Sequence, residues 1–135
     1  MNVATSLSGL ANFALYFGAS ALLLVLFVFI YSQVTPYREF TLISEGNVAA
    51  ACSMGGALLG FAQPLASAVA HSVDLVDMVI WGGVALVVQV ATFLILRVIF
   101  PRLVEDIPSG KVSKGLLLGL FSLAVGMLNA ACMTY

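Results

Sequence analysis

The stretch ALLLVLFVFIY occupies residues 21–31 and contains no charged side chain. The apolar run around it extends from about Leu10 to Tyr31, close to the roughly 20 residues that a helix needs to cross a hydrocarbon core. Proline cannot continue a helix, and Pro36 follows in the polar segment SQVTPYREF. The run lacks a basic start and a cleavage site near Tyr31, so we expect a retained membrane-spanning helix rather than a signal peptide.

Three more apolar stretches of similar length follow, and most charged residues lie between them. Together the four stretches predict helices over about residues 10–31, 47–69, 78–100 and 115–133. Hydrophobic residues make up 62% of the chain and charged residues 8%, whereas a soluble domain has about 45–50% and about 25%. The sequence therefore predicts an all-α, polytopic membrane protein with one transmembrane domain over residues 1–135. The net charge of -1, without a basic run, does not indicate nucleic-acid binding.

The basic residues predict the orientation of this domain. Four of the five lie in the first and third loops between the predicted helices: Arg38, Arg102, Lys111 and Lys114. Positive charge favours the cytoplasmic side, so both of these loops are expected inside and both termini outside. Trp81 and Tyr135 would then lie at the outer interface, where amphipathic rings are enriched.

The two halves of the chain resemble each other at an offset of 64 residues. At this offset Arg38 matches Arg102, and the loop pattern I-x-x-G-x-V recurs at residues 43–48 and 107–112. Each unit, about 8–70 and 72–134, would contain one helix pair, so the two copies would be parallel. The pattern predicts a tandem duplication, with chance matches in an apolar composition as the alternative.

Small and polar residues recur at helical spacing in the second and fourth predicted helices. In the fourth helix they are Gly115, Gly119, Ser122, Gly126 and Asn129. In the second helix they are Cys52, Gly56, Gly60, Gln63 and Ser67. Spacings of three and four place such residues on one face, and helices in lipid associate through small residues and polar contacts. We interpret both faces as helix-packing surfaces, and a solute-binding or pore lining is the alternative.

Two other residues within the predicted spans could shape an interior site. Pro64 follows Gln63 inside the second helix and removes one main-chain hydrogen bond, so a kink is expected there. Gln89 lies in the middle of the third helix, where an unpaired amide facing lipid is unfavourable. We expect Gln89 to face inward, and Asn129 is a plausible partner.

The titratable residues give little indication of chemistry. His71, Asp74 and Asp77 have the spacing of a weak metal motif, but carboxylates that begin a helix are the simpler interpretation. Glu39 and Glu45 are interpreted as ordinary loop charges. No nucleophile and base pair is evident, so we expect a non-enzymatic protein without a cofactor or catalytic metal.

Several segments together resemble the YjfL family of small bacterial inner-membrane proteins. They include TPYREF, GGALLGFAQPLASA, WGGVALVVQ and the closing NAACMTY. The resemblance covers nearly the whole chain and implies a four-helix protein of the bacterial inner membrane. It also implies a link to membrane-stress genes, and it carries over no catalytic or binding residue.

The leading functional hypothesis is a non-enzymatic inner-membrane protein that acts by helix packing and by association. Its expected partners are lipid, other copies of the chain and a membrane-stress protein. The alternative is a small oligomeric channel or a transporter of uncharged solutes, which would require four residues to face the bundle interior: Gln63, Pro64, Gln89 and Asn129.

Overall fold

The computed structural model describes residues 3–133, which form a bundle of helices; Tyr135 lies outside the described residues. Its helices are α1 (Val3–Val34), α2 (Glu39–Ser44), α3 (Val48–His71), α4 (Leu75–Ile99), α5 (Leu103–Asp106) and α6 (Val112–Cys132). The four long helices, α1, α3, α4 and α6, are long and apolar enough to cross a membrane. The predicted all-α, polytopic architecture with four transmembrane helices is therefore confirmed.

The first long helix is longer than its apolar run. α1 contains 32 residues, whereas the sequence predicts a start near Leu10. The residues before Leu10 include serine and threonine but no proline, so the hydropathy of the segment decreases there without a residue that would end the helix. At 1.5 Å per residue α1 measures roughly 48 Å, which exceeds a hydrocarbon core of about 30 Å.

α3 and α6 form the centre of the bundle. α4 packs against both of them, and α1 packs mainly against α4 and α3. Only the C-terminal half of α1 contributes buried residues, namely Leu23, Phe27 and Tyr31. The rings of Phe27 and Phe61 stack with centroids 4.6 Å apart, and aromatic contact adds to the stabilisation from packing. Residues 3–15 are exposed throughout.

The loops before α3 and α6 have the same conformation. Gly46 and Gly110 have φ angles of 89° and 88°, in the left-handed region that only glycine adopts readily. The amide of each glycine donates to the carbonyl three residues earlier, Ile43 or Ile107, at 3.0 Å. This shared turn supports the I-x-x-G-x-V correspondence. The duplication itself remains a prediction, because α4 packs against α3 whereas α6 has no comparable packing with α1.

The loop at Asn47 also connects the two halves of the bundle. Its Oδ1 accepts a hydrogen bond from the Ala50 amide at 3.0 Å, so the expected helix cap is formed. Its Nδ2 donates to the carbonyls of Ile107 at 3.0 Å and Pro108 at 3.2 Å. We define the basic end of the bundle as the end that carries α2, α5 and these two loops.

Replacing Gly110 by alanine is expected to destabilise the fold by about 1 kcal/mol or more, because an L-residue is strained in the left-handed region. A Cβ atom at Gly110 would meet no other atom within 4 Å, so the effect would come from the backbone conformation alone. The measurement is thermal unfolding in detergent. Gly55→Ala is the control, since Gly55 is helical and equally uncrowded. Equal melting temperatures for the two variants would contradict the prediction.

Candidate functional site

Glycines bring the main chains of α3 and α6 into direct contact. A Cβ atom added at Gly56 would overlap the main chain of Gly119, and one added at Gly126 would overlap that of Gly60. Gly115 lies equally close to the main chain of Ala49. Helices approach this closely only where side chains are absent, and close approach is how helices associate without a hydrophobic driving force in lipid. In the described bundle, the glycines of both small-residue stripes therefore lie at the contact between α3 and α6.

Gln89 extends from α4 to the α3–α6 contact. It is 2% exposed, and its Nε2 donates to the carbonyl of Ser122 at 3.2 Å. The same Nε2 lies over Gly60, where a Cβ atom would come within 2.6 Å of it. Gln89 faces inward as expected, but the expected pairing with Asn129 is not formed. The Nδ2 atom of Asn129 is buried without a hydrogen-bond partner among the described residues.

Gln63 lies on the outward face of α3, so the prediction that it belongs to the inward stripe is wrong. Residues three and four positions after Gly60 are about 100° apart on the helix, so only one of them can point at α6. Pro64 is the buried one. Ser67 lies on the side of α3 that faces α6, and its Oγ donates a hydrogen bond to the carbonyl of Ala130 at 3.5 Å.

A second buried polar site lies at the basic end, where the sequence did not predict one. Glu39 is 2% exposed, so its interpretation as an ordinary loop charge is wrong. We define the Glu39 cluster by Glu39 itself and the four hydroxyl-bearing residues around it: Tyr31, Thr35, Tyr37 and Ser53. α2 begins at Glu39 and packs against α3, and the Tyr31 side chain of α1 lies near the Glu39 carboxylate.

The hydroxyl groups of the cluster leave the carboxylate without a hydrogen bond. Neither oxygen of Glu39 has a partner among the described residues, and the phenol oxygens of Tyr31 and Tyr37 are likewise buried and unpaired. The Thr35 hydroxyl makes long contacts with the carbonyls of Ser32 at 3.3 Å and Tyr37 at 3.4 Å. The Ser53 hydroxyl donates to the Ala50 carbonyl at 3.0 Å.

Burial dominates the electrostatics of this site. Desolvation raises the pKa of Glu39 from 4.5 to about 7, and the nearby Thr35 hydroxyl offsets only part of this shift. Desolvation, assisted by the proximity of Glu39, also raises the pKa of Tyr37. Glu39 can therefore carry a proton near neutral pH, which a solvated glutamate does not.

Two signals in the sequence could have revealed the burial of Glu39. Leu42 and Ile43 lie three and four residues after Glu39, so all three share one face of a helix. At the 64-residue offset Glu39 matches Leu103, which is 1% exposed. The corresponding position of the other half is thus an apolar core position.

The acidic residues at the opposite end form a helix cap. Asp74 Oδ1 accepts from the amide of Asp77 at 2.8 Å, and Asp77 Oδ2 accepts from the amide of Val73 at 3.0 Å. This reciprocal arrangement satisfies amides at the start of α4, as in a capping box. His71 Nδ1 lies 3.1 Å from the carbonyl of Ser67. These contacts agree with the helix-start interpretation of the motif.

A family model described as Domain of Unknown Function (DUF350) matches residues 5–133. The chain belongs to this family. The UPF0719 inner membrane protein YjfL of Escherichia coli (strain K12) is 40% identical over 129 residues, which are 96% of this chain and 98% of that protein. The UPF0719 transmembrane protein YshE of Bacillus subtilis (strain 168) is 31% identical over 97 residues, which are 72% of each chain. No solved structure shows a significant match.

Membership of the DUF350 family confirms the resemblance to YjfL. Two relatives bear the names of an inner-membrane and a transmembrane protein, and this chain has four candidate spans. It is therefore a multi-pass protein of the inner membrane. Within this DUF350 protein the polar residues divide into a central packing site, an outward amide at Gln63 and the Glu39 cluster.

Gly126→Ala is expected to destabilise the bundle by about 1–3 kcal/mol, because the added Cβ has no space against the main chain of Gly60. Thermal unfolding in detergent measures the loss. Gly83→Ala is the matched control, since a Cβ atom there meets nothing within 4 Å. An unchanged melting temperature for Gly126→Ala would mean that α3 and α6 do not pack this closely.

Proposed function

We propose that this protein is non-enzymatic and acts by association with further copies of itself within the membrane. The observation that carries the proposal is the outward position of Gln63, two turns before the end of α3. An amide facing lipid lacks hydrogen-bond partners, and such residues in membrane helices commonly pair with another helix. An amide both donates and accepts, so Gln63 of one copy can pair with Gln63 of a second copy.

The residues around Gln63 support close approach of a second helix. Ala66 and Ala70 follow at spacings of three and seven on the same outward face of α3, and both are exposed. Small side chains let two helix backbones come close together, as Gly56 and Gly119 already do inside the bundle. The family resemblance adds membrane-stress response as the setting of this association but assigns no residue to it.

The channel alternative receives less support from the geometry. Gln89 binds the main chain of Ser122 inside the bundle, whereas Gln63 lies on the outward face. The two amides therefore do not line one path through a single copy. A channel would require a ring of copies with Gln63 on its axis, and solute flux in proteoliposomes that is lost in Gln63→Leu would favour it.

Gln63→Leu is expected to weaken self-association about fivefold, because an interhelical hydrogen bond in a membrane contributes roughly 1 kcal/mol. The measurement is disulfide cross-linking between copies through Ala66→Cys, in a chain whose Cys52 and Cys132 are replaced by alanine. Gln63→Asn retains the amide and should preserve the cross-link.

Ile80→Cys provides the matched control for collision in the bilayer, since Ile80 is exposed on α4 and lies five residues after Leu75, as Ala66 lies five residues before His71. Equal cross-linking through Ala66→Cys and Ile80→Cys, or an unchanged yield in Gln63→Leu, would rule out the interface.

The proposal includes an orientation in which the basic end faces the cytoplasm, because Arg38, Arg102, Lys111 and Lys114 belong to that end. We then expect activity from a reporter fused after Tyr135 when it is of a type that functions outside the cytoplasm. Activity of a reporter that works only in the cytoplasm would reverse the orientation.

A further inference from the structure

The Glu39 carboxylate is buried at the basic end, near the Thr35 hydroxyl. It is 2% exposed, and neither oxygen has a hydrogen-bond partner among the described residues. An ionised carboxylate in such surroundings loses its hydration without compensation, which is strongly unfavourable. A native protein avoids this by bringing a positive charge, by adding hydrogen-bond donors or by protonating the group.

The elements around Glu39 supply no positive charge. α1 contributes the Tyr31 phenol, and the connecting segment contributes the Tyr37 phenol. α3 contributes the hydroxyl of Ser53, next to Tyr37. The neighbouring Arg38 is exposed, and the ion pair found among the described residues joins Lys111 to Asp106 in the other loop.

The basic side chain of α4 does not neutralise Glu39 either. Phe93 packs its ring edge against Tyr31, with centroids 5.4 Å apart. Arg97 follows one turn later, and no ion pair joins it to Glu39. The carboxylate is thus enclosed by aromatic rings and hydroxyl groups, which leave its negative charge uncompensated.

The lack of space around the carboxylate limits which cation can neutralise its negative charge. Both oxygens are closed to solvent, so a metal ion or an organic ammonium would have to displace the surrounding side chains. One carboxylate also provides few anionic ligands for a divalent cation, which usually binds several. A proton requires no additional space. A groove of about 540 Å³, lined by residues 32, 33 and 35–41, lies beside the cluster.

We propose that Glu39 is a proton-binding site, and that its bound proton holds α2 in place against α1 and α3. Release of the proton breaks the carboxyl O–H bond, passes the proton to water in the groove and leaves an uncompensated carboxylate. That carboxylate gains hydration only if α2 moves outward. The site would couple pH at the basic end to the position of α2, independently of association through Gln63.

The direction of the pH effect follows from the proton affinity of the folded chain. The pKa of Glu39 is raised from 4.5 to about 7, so the folded state binds this proton more tightly than the unfolded state. The stabilisation is complete below pH 4.5, decreases as pH rises and is lost once pH passes about 7. Within this window the folding equilibrium constant should fall about tenfold per pH unit.

The test places a nitroxide on α2 through Thr41→Cys, an exposed position, in a chain whose two native cysteines are replaced by alanine. The full chain is reconstituted in vesicles of a zwitterionic phospholipid, and nitroxide mobility is recorded from about pH 5 to about pH 8.5, a range that includes the expected transition. We expect low mobility at the acidic end and high mobility at the alkaline end. A parent chain with constant mobility over this range would overturn the proposal.

Two variants assign the response to Glu39. Glu39→Gln mimics the protonated carboxyl, and Glu39→Leu introduces the residue that occupies the matching position 103 of the other half. Both should keep α2 immobile at every pH. Glu105→Gln, which removes an exposed glutamate from α5, should respond to pH as the parent does. A pH response that persists in both Glu39 variants would contradict the proposal.

Infrared spectroscopy of the unaltered chain provides a readout that does not depend on a variant folding. One protonated carboxyl per chain should be present at about pH 5.5 and lost by about pH 8.5, since the transition lies between these values. Absence of that change would show that Glu39 does not bind the proton.

Discussion

The fold depends on the direct main-chain contact between α3 and α6. Lipid provides no hydrophobic driving force between helices, so association requires close packing and buried polar contacts. Gly56 and Gly119 allow the two backbones to meet, and Gly126 lies against Gly60 in the same way. Gln89 can then reach the carbonyl of Ser122 only because no side chain at position 60 occupies the intervening space. The hydrogen bond that joins α4 to the two central helices therefore depends on glycine at position 60.

This central contact also explains how polar groups are distributed over the rest of the bundle. The main-chain approach of α3 and α6 fills the interior, and α1 is held chiefly by apolar and aromatic residues of its C-terminal half. Gln63 points away from this contact, and its outward position results from the same helix rotation that buries Pro64.

The sequence predicts the features that depend on composition and spacing, but not those that depend on helix rotation or local burial. Four spans, the Asn47 cap and the inward position of Gln89 follow from hydropathy, capping preference and the unfavourable exposure of an amide to lipid. To predict which of Gln63 and Pro64 faces α6, the rotation of α3 about its own axis must be known to within half of the angle between the two side chains. Glu39 was missed because loop carboxylates are normally solvated, whereas α2 buries this one.

The second half of the chain has an apolar residue at the position that matches Glu39. Each half has a short helix, a glycine turn in the left-handed conformation and then a long helix. Leucine occupies position 103, where it is buried with no polar atom to satisfy, whereas the corresponding position 39 holds a carboxyl group. Replacing buried charged groups by apolar residues of similar volume is often neutral or stabilising. Packing alone therefore gives no reason to keep a glutamate at position 39, and a proton-dependent role supplies one.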